Sequence, residues 1–183
     1  IPWDAFDVDM VIDSTGVYRK REELQMHIDS GAKRVLVSKP PVNEIDRIVI
    51  QGINEDQIKY NDKIISTTSS TTQVLALMMK VLDESFGIKR AMMTTVHAYT
   101  SDQPLADAVR SDLRRSRSAV ENIIPNETWA PDYVSQLMPK FKNKVSGIAM
   151  NVPVANGSCI DLTTEMDRMP SAVSYTHLRA HET

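Results

Sequence analysis

Apolar positions fall in short runs, and most of these runs end at a turn signal. Residues 8–12 are apolar apart from Asp9 and stop at Asp13-Ser14-Thr15-Gly16, which predicts a buried strand. Residues 19–30 carry Leu24, His27 and Ile28 at helical spacing, with Gly31 as the stop, which predicts a helix. Val35, Leu36 and Val37 form a second buried run, ended by Ser38-Lys39-Pro40-Pro41; Ile48, Val49 and Ile50 follow, then polar residues 54–62, then Ile64 and Ile65. Strand, helix, strand in this order predicts a crossover unit of a parallel sheet.

Residues 66–72, Ser-Thr-Thr-Ser-Ser-Thr-Thr, have the most unusual local composition in the chain. Behind them Val74, Leu75, Leu77, Met78, Val81 and Leu82 make a helical stripe that Gly87 ends. The Ser/Thr run therefore sits where a strand hands over to a helix N-terminus. Unpaired backbone N–H groups and the positive end of the helix dipole favour an anion or an activated nucleophile there. Residues 91–96 read as a strand that leads to His97-Ala98-Tyr99-Thr100. An Arg-rich stretch follows at Arg110, Arg114, Arg115 and Arg117. Residues 145–152 and 158–162 read as two more strands, so the second half looks α+β.

Composition narrows the function classes. Lys plus Arg number 21 and Asp plus Glu 24, giving net charge -3, without the basic excess of a general nucleic-acid binder. Hydrophobic residues make up 42% and charged residues 25%, a globular and not a disordered balance. No apolar run approaches the roughly 20 residues of a membrane helix. The single cysteine, Cys159, excludes an intramolecular disulfide and a Cys-rich zinc site, and is compatible with a reducing compartment. In its strand pattern it reads as an inert buried thiol. The chain opens at Ile1 without Met and reads as cut from something longer. Residues 170–183 lack either periodicity and read as a non-native tail, which removes His177 and His181 as candidates.

Several motifs together carry a family resemblance: residues 13–18 (Asp-Ser-Thr-Gly-Val-Tyr), 66–73, 94–100 (Thr-Thr-Val-His-Ala-Tyr-Thr), 112–117 (Asp-Leu-Arg-Arg-Ser-Arg), 122–125 (Asn-Ile-Ile-Pro) and 147–153. Their order and spacing resemble glyceraldehyde-3-phosphate dehydrogenase from about residue 1 to 166. The resemblance implies the C-terminal part of a doubly wound, Rossmann-type NAD-binding domain over 1–67. An incomplete α+β catalytic domain with a mainly antiparallel sheet would follow over 68–169. The six glycines form no G-x-G-x-x-G turn, so the resemblance places that fingerprint outside this chain.

In that family a Cys at the strand-to-helix turn attacks the aldehyde with a His as base, hydride passes to NAD, and phosphate cleaves the thioester. The resemblance places the nucleophile position at Ser70 and the base at His97. It places cofactor contacts at Ser14, Thr15, Gly16 and Ser38. Substrate and phosphate contacts fall at Ser69, Thr71, Thr100, Asp102, Arg115 and Thr128. It further implies NAD or NADP, a small phosphorylated aldehyde and inorganic phosphate as partners, no metal, a homotetramer, a cytoplasmic location and a place in glycolysis.

Three positions depart from the pattern. Ser70 stands where the family has Cys, Asn151 where it has Arg, and Trp129 where it has Gly. A thiol near pKa 8.5 can be drawn into the thiolate range by a helix N-terminus and a His, whereas an alcohol needs its proton removed during attack. Loss of the Arg removes a charge-assisted phosphate bond of roughly 1–3 kcal/mol. Trp129 places a large side chain where the pocket should be bare. These departures predict an impaired oxidoreductase, a pseudoenzyme that is inactive or weakly active. The alternatives are a non-catalytic nucleotide- or anion-binding or regulatory protein on the same scaffold and a Ser–His esterase. Simpler readings stand beside these: Ser70-x-x-Gln73 as a capping box, His97 as a structural histidine, His27 without function, and the Arg cluster with Asp107 and Asp112 as a solvated face.

Overall fold

The computed structural model describes residues 1–101 and 103–171. The chain divides into two compact units, Ile1–Leu77 and Met78–Thr183. Both combine helices with a sheet, so the chain is α/β in composition.

The first unit contains β1 (Met10–Asp13), α1 (Arg21–Asp29), β2 (Arg34–Val37), β3 (Arg47–Ile48) and β4 (Ile64–Ser66). Its four strands are parallel in the order β1-β2-β4-β3, as the strand–helix–strand pattern predicts. Leu24 on α1 is fully buried in a cluster with Val35, Val37, Ile45 and Ile64. The start of α1 is capped from a distance, because Asn43 Oδ1 accepts the Arg21 N–H at 2.7 Å. Glu23 Oε2 accepts the N–H groups of Lys20 and Arg19 at 2.9 Å each. Gly31 ends the helix at φ 102, and a Cβ there would stand 2.5 Å from the Asp4 nitrogen. β3 is shorter than the apolar run 48–50. The buried Asn54 side chain accepts the Ile50 N–H and donates to the Ile48 carbonyl, both at 2.9 Å, which turns the chain away from the ladder.

The helix α2 (Ser70–Phe86) begins within the Ser/Thr run and ends before Gly87, where the stripe stops. The second unit contains β5 (Ile88–Ala98), β6 (Ile124–Asn126), α3 (Ala130–Leu137), β7 (Val145–Val152) and β8 (Ser158–Met166). The order is β6-β7-β5-β8, with β5 parallel to β7 and the other two pairings antiparallel. The buried residues of this unit include Met93, Thr95, Ile124, Val134 and Phe141. β8 is the outer strand of the described sheet and its pattern is mostly exposed, so Cys159 is an exposed thiol and not the buried one expected from the strand pattern. Of the tail at 170–183, residues 172–183 lie outside the described residues.

Asp46 ties the first unit together. Its carboxylate accepts the Lys63 and Ile64 N–H groups at 2.8 and 2.9 Å and an Arg21 Nη2 bond at 2.6 Å. Burial alone would raise this carboxyl; the bonds from Ile64, Arg21 and Lys63 together hold it below its ordinary value. A depressed carboxyl contributes stability that is full above the unfolded value, near 3.9, and is lost as pH falls through the folded value. Asp46→Asn is expected to lower stability at neutral pH by about 1–3 kcal/mol. It should also flatten the acid limb of a chemical-denaturation series across pH; an unchanged acid limb would refute the assignment.

Candidate active-site elements

Ser70 is the first helical residue of α2 and is exposed. It does not cap the helix. Thr68 takes a left-handed backbone at φ 62, which makes Ser69 the last non-helical residue. Ser69 Oγ accepts the Thr72 N–H at 3.1 Å and shares a 2.8 Å hydrogen bond with Thr72 Oγ1. Gln73 Nε2 donates to the Thr67 carbonyl at 2.8 Å. The cap therefore sits one residue earlier than the Ser70-x-x-Gln73 reading. Ser69 is committed to holding the helix, and the Ser70 hydroxyl has no capping duty. Thr71 is half-buried in the same turn.

In the first unit the four cofactor candidates converge. Ser14, Thr15 and Gly16 follow β1 and Ser38 follows β2, at the carboxyl ends of adjacent parallel strands. Ser38 donates its N–H and its hydroxyl to the Asp13 carbonyl at 3.0 and 3.3 Å. Thr15 donates its N–H at 2.9 Å and its hydroxyl at 2.7 Å to Asp13 Oδ1. Ser14, Thr15 and Ser38 remain exposed, and Gly16 takes φ 73. The crevice at carboxyl strand ends is where open α/β sheets bind ligands.

In the second unit His97 lies near the end of β5, half-buried, between two hydroxyls. Nε2 is 2.7 Å from Thr95 Oγ1 and Nδ1 is 2.9 Å from Ser158 Oγ. A hydroxyl can donate or accept, so these partners hold the ring plane while accommodating either tautomer. Asn151 pairs with His97 across the β5–β7 ladder. Its Nδ2 donates to the Ala98 carbonyl at 3.3 Å, and its Oδ1 accepts from Asn126 Nδ2. Both ends of the Asn151 amide are thus engaged in the sheet.

The other anion candidates are more dispersed. The Thr100 N–H donates to the buried Gln103 Oε1 at 3.1 Å. Arg115 is half-buried in the 3-10 turn Arg114–Ser116, whose start is held by Asp112 Oδ1. Arg117 pairs with Asp107, both well exposed, as a solvated face predicts. Thr128 Oγ1 accepts the Ala130 N–H at 3.3 Å at the start of α3, which leaves its own hydrogen for a second partner. Trp129 is 67% exposed. Asp102 lies outside the described residues. A shallow hollow of about 400 Å³ over β5, β7 and β8 is lined by Arg90, Met92, Lys144 and Thr163. It contains none of the candidates and lies at the opposite end of β5 from His97.

Two features escaped the sequence reading. Asn126 supports Asn151, a pairing that needs the β6–β7 register to be seen. His27 lies within reach of Asp13, at 3.3 Å, beside the cofactor turn. Among the described residues no group of His, Cys, Asp and Glu could hold a metal ion, and no helix is long and apolar enough to cross a membrane.

Residues 69–178 match the family model of the glyceraldehyde 3-phosphate dehydrogenase C-terminal domain. The chain is 48% identical over 171 residues to the glyceraldehyde-3-phosphate dehydrogenase of Streptomyces coelicolor, covering 92% of this chain and 50% of that protein. Against the Geobacillus stearothermophilus protein of the same name it is 46% identical, with the same coverage. Against glyceraldehyde-3-phosphate dehydrogenase 1 of Bacillus subtilis it is 44% identical over 173 residues, 94% of this chain and 51% of that protein. The chain thus spans about half the length of these relatives.

The capping geometry separates two adjacent serines. Ser69→Ala is expected to destabilise the chain by about 1 kcal/mol, the usual loss for an N-cap hydroxyl. Ser70→Ala should change stability by less than about 0.5 kcal/mol, as at an exposed site without such a feature. Urea unfolding of both variants checks this, and equal losses would contradict the cap assignment.

Proposed function

The chain belongs to the glyceraldehyde-3-phosphate dehydrogenase family, and from that premise we propose that it is part of an NAD(P)-dependent aldehyde oxidoreductase impaired in phosphorylating oxidation. The observation that carries this reading is the α2 N-terminus, where the position released from capping holds a hydroxyl in place of a thiol. In this reading residues 1–67 close the dinucleotide-binding domain and residues 68–169 begin the catalytic domain. The complete protein is a cytoplasmic homotetramer acting on a small phosphorylated aldehyde with inorganic phosphate.

The cofactor candidates fit a dinucleotide chemically. Ser14, Thr15 and Ser38 offer uncharged hydroxyl donors, and Gly16 leaves bare backbone at the strand ends. The chemistry a nicotinamide supplies when bound is acceptance of hydride from the substrate carbon. The protein's own residues govern binding and proton movement. Ser70 presents its oxygen at the positive end of the α2 dipole, which favours a developing negative charge. His97 stands at the family's base position, its ring plane being held by Thr95 and Ser158. An ester formed on the Ser70 oxygen is less activated toward phosphate than a thioester. By the family resemblance Thr71, Thr100, Asp102, Arg115 and Thr128 contribute anion contacts, while Ser69 caps α2. Asn151 adds no charge to that set.

A second reading, nucleotide or anion binding without turnover, is favoured by the same Asn151. Its amide is spent on Asn126 and Ala98, so the sheet at this point is closed by neutral hydrogen bonds.

The complete protein is expected to show almost no NAD- and phosphate-dependent oxidation of glyceraldehyde 3-phosphate, read as NADH absorbance. Ser70→Cys should raise the rate by about tenfold or more, a barrier change of roughly 1.4 kcal/mol. Adding Asn151→Arg should raise it further. Robust turnover by the Ser70 protein would sink the impairment; calorimetric NAD binding without turnover in any variant would favour the second reading.

A further inference from the structure

Behind the turn that follows β1 lies a buried hydrogen-bonded chain that the proposed reaction does not use. Asp13 is 3% exposed, and a carboxylate so buried needs partners for both oxygens. Oδ1 serves the turn, accepting the Thr15 N–H and hydroxyl. Thr15 Oγ1 in turn accepts the Val17 N–H at 3.2 Å. Oδ2 faces His27 Nε2 at 3.3 Å. On the far side of the imidazole, the Trp3 indole N–H donates to His27 Nδ1 at 3.2 Å.

This arrangement dictates the tautomer. An indole nitrogen can only donate, so Nδ1 must offer a lone pair and the ring proton must sit on Nε2, aimed at Asp13. The ring is further fixed by Tyr18, edge-on at 6.0 Å between centroids, and by Trp3 at 5.9 Å. The chain therefore runs from the 3-10 turn Trp3–Phe6 through α1 to the end of β1. The Asp13 carbonyl extends it to Ser38 at the end of β2. Burial pushes the Asp13 carboxyl up, yet the bonds from Thr15 and His27 leave it below its ordinary value, so it stays an acceptor for the turn.

We propose that His27 is a positioning residue for the dinucleotide-contacting turn: locked by Trp3 with its proton on Nε2, it holds the Asp13 carboxylate, and through it the backbone of residues 14–16. The proposal rests on the reading of Ser14, Thr15, Gly16 and Ser38 as cofactor contacts. A neutral imidazole suffices, because its work is to fill one carboxylate oxygen so that the other stays with Thr15. Gln at position 27 could in principle both donate to Asp13 and accept from Trp3, whereas Leu can do neither.

The test uses the full 183-residue chain. Nitrogen-edited NMR of the His27 ring should show Nδ1 unprotonated and Nε2 protonated at neutral pH; the reverse tautomer overturns the lock. His27→Leu should speed hydrogen exchange of the Thr15 amide by about tenfold or more through local opening, and His27→Gln should restore most of the protection. An unchanged Thr15 amide in folded His27→Leu, or no rescue by His27→Gln, overturns the proposal. If His27→Leu does not fold, Trp3→Phe decides: loss of the single tautomer supports the lock, and its persistence overturns it. NAD added to the complete protein should shift the Thr15 and Gly16 resonances, with about tenfold weaker binding in His27→Leu. Absence of any NAD shift at residues 14–16 in the complete protein overturns the cofactor reading, while the exchange data still judge the positioning role.

Discussion

The hydrogen bond from the Thr72 N–H to Ser69 Oγ constrains everything that can be said about chemistry at the α2 N-terminus. A helix start must satisfy its first N–H groups, and whichever hydroxyl does so is held in one orientation. With Ser69 in that role and Gln73 reaching back to the Thr67 carbonyl, the first turn of α2 is stabilised without Ser70. Ser70, the nucleophile position in the proposed reading, is thereby exempt from capping, whichever atom it carries. A thiol and a hydroxyl fit there with little difference in volume and a large difference in acidity. Such a site can lose its chemistry while the helix remains.

The fold was legible where periodicity and turn residues acted locally. The runs at 35–37 and 64–65 become β2 and β4 almost without adjustment, because apolar burial and strand geometry agree there, and 145–152 becomes β7 although none of its residues is fully buried. The stripe from Val74 to Leu82 becomes α2, with Leu75 fully buried and Val74, Leu77 and Val81 exposed. Disagreements arise where a side chain acts from a distance. Asn54 shortens the run at 48–50 by taking over its backbone groups. β8 runs on past residue 162 to Met166 through polar residues paired with β5, which a search for apolar runs does not see. The cap was misplaced by one residue because hydroxyls fill both registers, and only the bond from the Thr72 N–H to Ser69 decides between them.

The site was legible in part for a related reason. The strand-end turns and the His97 segment stand out in sequence as motifs, and the geometry supplies their partners. Those partners come from far along the chain: Ser158 for His97, Asn126 for Asn151, His27 for Asp13 and Trp3 for His27. His27 shows the difficulty most clearly. At helical spacing beside Leu24 and Ile28 it reads as an unremarked member of a helix, and its meaning appears only once β1 brings Asp13 beside α1.

The departures at Ser70 and Asn151 share a physical character that bears on why the scaffold persists. A buried cation without a partner would cost several kcal/mol, whereas an amide can close its own hydrogen bonds with neighbouring strands. Asn151 does so, donating to Ala98 and accepting from Asn126, so the ladder between β6, β7 and β5 is intact. Ser70 likewise leaves the capped helix undisturbed. In the proposed reading each change is nearly neutral for packing and bears on a separate requirement of the family reaction: one on forming the covalent bond to the aldehyde, the other on holding phosphate. Fold stability and reactivity depend here on different atoms of the same elements, so packing keeps the architecture independently of whether the chemistry survives.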